Sequence, residues 1–231
     1  MRKTLLFLFL FILLTSVSIL VGFSQRQALA CELIRYSNYQ QIDSNFFVSP
    51  TFGKDDRERI IAVINLARSR IENTFGTMVS SPLVVITVND DEASKFGSNA
   101  YGKAHLTPFG QCLVFGPQGH NVNVVAHEYV HSEVHYRVGW FKHYLNVPIW
   151  FNEGIALLVD YRKPYLLANI DVSQAQINAI KKGQGNFFTS ENAVQNYQAA
   201  RVSVERLDRT RLYDNLKKVK DGDDFNSVFK L

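Results

Sequence analysis

The sequence predicts an α+β protein, with a small N-terminal sheet and helices followed by a helical C-terminal lobe. Two observations predict it. In the first half, short β-branched runs are interleaved with helical patterns; from about residue 139 onward every periodic segment is helical. A third bounds the class: 46% hydrophobic and 20% charged residues describe a globular chain, and 231 residues suit one domain or two small lobes around a cleft.

Taken in order, Arg2 and Lys3 precede an apolar run from Leu5 to about Phe23. Roughly 20 apolar residues can span a bilayer, whereas a cleaved signal has a core of about 7–15. Ala28-Leu29-Ala30-Cys31 offers a small-x-small cleavage site and a poor lipoprotein box, with Leu29 where a small residue belongs. Residues 1–30 are therefore read as signal peptide or membrane anchor, and both readings put residues 31–231 outside the cytoplasm, in the periplasm or at the cell surface.

Glu32 to Pro50 reads as extended. Ile60, Ile64, Ala67 and Ile71 recur at helical spacing between Asp55-Asp56 and Gly76, a helix with start and stop signals. Pro82 to Asp90 is a short strand, Asp91 to Phe109 a loop, and Gln111 to Pro117 another strand. A helix follows from Val122 to Val138, closed by Gly139. Trp140 to Asn146 is a connector, Pro148 opens the next helix, and four further helical segments complete the chain.

Net charge is +4, but Arg2, Lys3 and Arg26 stand in an acid-free leader; the remainder holds 22 bases against 21 acids, or +1. No basic stripe argues for nucleic acid. The two cysteines, Cys31 and Cys112, can form one disulfide in an exported protein, or Cys31 can be acylated at the cleavage position.

The chemistry lies in Val124 to His135, which holds three histidines at four-residue spacing. Residues four apart share a helix face, so two imidazoles there can hold one zinc ion. His127-Glu128-Tyr129-Val130-His131 adds a glutamate about 100° round the helix, beside the ion rather than on it, where it can take a proton from water. His131 and His135 have the same spacing but Ser132 in place of the base, and His127 and His135 are about 12 Å apart along the axis. His127 and His131 are therefore the ligands, and His135 a partly buried or surface histidine. A third ligand is needed, and Glu153 in Trp150-Phe151-Asn152-Glu153-Gly154 supplies it. A third histidine six residues after His131 is absent, since that position is Arg137. His105, His120 and His143 are weaker candidates.

His127 to His131 followed by Asn152-Glu153-Gly154-Ile155-Ala156 resembles the gluzincin zinc metallopeptidases, which include thermolysin and the aminopeptidase N family. It is most similar to peptidases of the peptidase MA-like type, with their W-x-x-E-G-x-A signature. The strong match covers His127 to Ala156; Gly222 to Phe229 is similar to the closing helix of that group. The resemblance implies a zincin-like active-site helix and one Zn²⁺ per chain on His127, His131 and Glu153. It implies Glu128 as general base, and a peptide substrate lying along an edge strand, for which Gln111 to Phe115 is the candidate. Asn196 to Val202 resembles a Y-x-x-G-A segment, which makes Tyr197 an oxyanion-stabilising residue. The chain lacks a G-x-M-E-N exopeptidase signature, and Leu157 stands where many relatives carry an acid that orients the first histidine, so another group must do so. The expectation is an exported, membrane-associated zinc metallopeptidase whose partners are a peptide or protein substrate and, through the N-terminal segment, a membrane. The alternative is an inactive metal- or partner-binding protein on the same fold; an intact Glu128 argues against it, because a structural site has no use for a base.

Overall fold

A computed structural model describes residues 26–183 and 191–230; residues 1–25, most of the segment read as signal or anchor, lie outside them. The described residues form one five-stranded sheet and ten α-helices, an α+β fold. Helix α1 is Arg26–Glu32, β1 is Gln40–Asp43, β2 is Phe46–Val48, α2 is Lys54–Phe75 and β3 is Leu83–Ile86. Then come α3 (Asp90–Lys95), β4 (Gly102–Leu106), β5 (Gln111–Phe115), α4 (Val122–Val138), α5 (Trp140–Asn146) and α6 (Ile149–Ala156). The chain closes with α7 (Gln174–Lys182), α8 (Ala193–Ser203), α9 (Leu212–Asp221) and α10 (Phe225–Phe229).

Strand order is β1-β2-β3-β5-β4. β2, β3 and β5 run parallel, with Phe46 opposite Val84 and Leu83 opposite Cys112; β1 and β4 flank them antiparallel, with Gly102 opposite Phe115 and Leu106 opposite Gln111. This corrects the edge-strand expectation: Gln111–Phe115 is paired on both sides, and among the described residues the edges are β1 and, beyond β5, β4. The stretch expected to be a loop instead holds α3 and β4. Asn89 caps α3 by accepting from the Glu92 amide, and a tight turn at Thr107–Gly110 folds β4 back onto β5. Likewise Trp140–Asn146 is helical, and the stretch at Glu32–Pro50, expected to be extended, opens with the end of α1 and a 3-10 turn at Leu33–Tyr36 before the β1–β2 hairpin.

Side chains on a strand alternate faces, and the sheet separates two cores accordingly. Val84, Ile86, Leu113 and Phe115 join the main cluster with Ile60, Ile64, Ala67 and Ile71 of α2 and Val130 and Val134 of α4. Leu83, Val85, Cys112 and Val114 face the other way, onto Cys31, Ile34, Phe47 and Phe96. There Cys31 is bonded to Cys112 and fully buried, which excludes an acylated Cys31. Helix α2 forms where Asp55 and Asp56 complement its N-terminus and ends at Gly76.

Helix α4 is the axis of the fold. Its Asn121 cap accepts from the Asn123 and Val124 amides, and Gly139, at φ 85°, ends it. Twelve of its 17 residues are buried, which is why its sequence lacks a polar face. The buried Glu133 carboxylate fixes the far end: it accepts from the Val79 amide at 2.6 Å and from Arg137 Nε at 2.7 Å.

Candidate metal centre

His127 and His131 stand one turn apart on α4, 5% and 6% exposed, with ring centroids 4.8 Å apart. Helix α6 lies alongside. Its cap is Pro148, which stands just before the first turn rather than in it. Glu153 projects from its second turn, and its Oε2 lies 3.3 Å from His127 Nε2 and 3.5 Å from His131 Nε2. A tetrahedral ion with bonds of about 2.0–2.1 Å has ligand atoms about 3.4 Å apart, so these spacings match two edges of such a shell. The three ligand atoms all lie within 4.8 Å of one another. One carboxylate and two imidazoles, drawn together in a buried place, make a donor set suited to a metal cation. His131 Nδ1 is buried there without a hydrogen-bond partner.

Gly154 explains how α6 comes this close to its neighbour α8. A Cβ at Gly154 would stand 2.5 Å from the Ala200 carbonyl oxygen, so only glycine permits the approach. The approach also carries Tyr197 to the site: its ring centroid is 6.5 Å from that of His127 and 5.8 Å from that of Tyr165. Burial and then the Glu153 and Glu128 carboxylates push the Tyr197 phenol up, keeping it a neutral O–H donor.

The carboxylate that stands behind the first histidine is Asp160, which was not foreseen from the sequence. Its carboxylate is buried 3.5 Å from His127 Nδ1. It accepts from Arg162 Nε at 2.9 Å and from the Arg162 amide at 3.0 Å. A carboxylate behind a ligand histidine fixes its ring so that the other nitrogen faces the ion. Burial alone would raise the Asp160 pKa, but His127 and Arg162 outweigh it and bring it down to about 2. Burial would depress His127, yet Asp160 and Glu153 together hold it well above the usual imidazole range; Glu153 is held correspondingly below the usual carboxylate range by His131 and His127. The only sequence signal was a D-x-R pair seven residues after Glu153, in a segment without periodicity.

Glu128 is partly exposed beside the ligand group and beneath the start of β4; a Cβ on Gly102 would stand 3.1 Å from Glu128 Cγ. Glu128, His127, His131, Glu153 and Tyr197 are thus brought to one place. His135 is not among the ligands. It is buried, 5% exposed, with Nδ1 2.8 Å from Gln111 Nε2. Ser132 donates to Gln111 Oε1 at 2.7 Å, fixing that amide so that Nε2 donates to His135. His105 is held at 2.6 Å by the Phe96 carbonyl, His120 packs edge-on against Phe52, and His143 packs against His135. No family profile matches the chain, and no curated protein or solved structure is significantly similar to it.

Proposed function

We propose that the protein is an exported, membrane-associated zinc peptidase of the gluzincin, peptidase MA-like type. The observation that carries the reading is the convergence of His127, His131 and Glu153 with Glu128 on the same helix. Zinc held by those three residues would act as a Lewis acid and bring a water toward a pKa near 7. The chain's own residues do the rest. Glu128 accepts a proton from the attacking water and returns it to the leaving amine. The neutral Tyr197 phenol donates to the oxygen that gains charge at the scissile carbonyl. Asp160 holds His127 in register.

The free edge of β4 supports a peptide as substrate. An extended chain adding to Gly102–Leu106 would bond to open backbone groups, and Gly102 lies over Glu128. The rival, a binding protein without activity, is weakened by the base and by the phenol, neither of which a structural site requires.

The test is zinc content with hydrolysis of a broad peptide library. Wild type should hold close to one zinc per chain. Glu128→Gln should keep the metal and lose at least about 100-fold in rate, the scale of lost general-base catalysis. Glu153→Gln, His127→Ala and His131→Ala should lose both; His135→Ala should keep most of the metal. Zinc-loaded wild type that cleaves nothing would favour the rival, and a fully active Glu128→Gln would sink the mechanism.

A further inference from the structure

A second surface of the molecule is built for a different partner. Helix α5 buries none of its residues. Trp140, Phe141, Tyr144 and Leu145 are 41%, 64%, 80% and 59% exposed, and Tyr136, just before it, is 54% exposed. At the tip of the β4–β5 hairpin, Phe109 is 92% exposed. The tip is held rigid: Thr107 Oγ1 accepts from the Phe109 and Gly110 amides at 3.2 and 3.1 Å. A shallow cavity of about 440 Å³, lined by Phe109, Tyr136 and Trp140, joins the hairpin tip to the start of α5, and Tyr144 lies one helical turn from Trp140. Large exposed apolar patches on a globular chain mark interaction sites.

Three further observations name the occupant. The first is residue type: tryptophan and tyrosine concentrate where hydrocarbon meets headgroups, because each ring has an apolar body and a polar tip. The second is charge. Between Glu133, which is 1% exposed and paired with Arg137, and Glu153 the chain has no acid, and Lys142 donates to the Lys220 carbonyl, so this stretch sets no carboxylate against the headgroups. The third is the path of the chain. The apolar run ends near Phe23, and Arg26 opens α1. Ala28 is 6% exposed and Gln27 covers Gly97, so the chain upstream of the small-x-small site belongs to the fold. Glu32, at the end of α1, lies against Gly110, where a Cβ would meet Glu32 Oε1 at 2.9 Å. Helix α1 spans about 10 Å, so its first residue, Arg26, into which the run leads, stands on the same side of the molecule as the hairpin tip. Leu29 on α1 and Leu33 and Tyr36 just after it are 47%, 58% and 87% exposed.

We propose that the face formed by α5 and the β4–β5 hairpin tip rests on a bilayer surface, as a second membrane contact beside the N-terminal run. The proposal rests on reading that run as membrane-inserting and is independent of the metal reading. Phe109 and Trp140 enter the headgroup boundary.

The test uses the full chain bound to phosphatidylglycerol–phosphatidylethanolamine vesicles. Single cysteines are placed at exposed positions, Tyr144→Cys or Phe109→Cys, with Leu66→Cys on α2 (60% exposed) as the remote control. The native pair is buried in its disulfide and takes no label. An environment-sensitive dye at 144 and 109 should shift to the blue on vesicle binding and be quenched by brominated lipid at least twofold more than the dye at 66. Equal quenching at all three sites overturns the proposal, as does failure of the chain to associate with vesicles. Shielding of positions 144 and 109 from aqueous iodide without vesicles also overturns it, in favour of a protein or peptide covering the face. Peptide hydrolysis and zinc content are measured on the same samples, so failure here leaves the metal reading standing or falling on its own assay.

Discussion

Asp160 acts on the site through another residue: it faces His127 from behind while Glu153 faces it from the front. Asp160→Asn keeps the shape and removes the charge that fixes the ring. Zinc affinity should fall about 10- to 100-fold, the usual cost of losing such a partner, read by competition with a chromophoric chelator. Wild-type affinity in Asp160→Asn would remove Asp160 from the site's machinery. The contrast between the ligands and Asp160 shows what a sequence reveals at this scale. His127, Glu128 and His131 were legible because a helix converts four-residue spacing into proximity. Asp160 was not, because it reaches His127 from an irregular segment whose path is set by packing.

At the scale of elements, the contact between α6 and α8 makes a prediction whose sign is informative. Inside a helix, alanine is favoured over glycine by about 1 kcal/mol. At Gly154 the added methyl meets the Ala200 carbonyl at 2.5 Å, a backbone atom that must move. Gly154→Ala should therefore lower Tm, with a cost of about 1–3 kcal/mol as overpacking gives, and weaken zinc binding by tilting Glu153. A raised Tm with unchanged zinc affinity would show that the helices are not in the close contact described. The long periodic elements α2 and α4 were legible, with Gly76 and Gly139 as their stops. Strand β4 was hidden because Gly102-Lys103-Ala104-His105-Leu106 has little β-branched character and only one covered face. Helix α5 read as a connector because it is only seven residues long and its aromatic residues bury nothing. The Cys31–Cys112 bond was an open alternative because 81 residues of separation say nothing of proximity.

For the whole molecule, the α+β class followed from the order of the elements. What that order could not convey is that one hydrophobic cluster runs from Val48 in the sheet to Phe229 in the last helix. Its last link is aromatic: Phe151, two residues before Glu153, packs against Phe225 and Phe229 of α10 with centroids 4.8 and 4.5 Å away. Helix α6, which carries Glu153, is thus held by α10. Coupling of this kind is reciprocal: whatever factor the docked α10 contributes to metal affinity, the metal returns to the docking of α10. Zinc should slow hydrogen exchange at the amides of α10, and Phe229→Ala should weaken zinc binding several-fold; equal exchange with zinc and with chelator would break the link. The last helix, more than 70 residues from Glu153 in sequence, would then report the occupancy of the site, and a protease that cuts at α10 should cut the zinc-loaded protein more slowly than the zinc-free one.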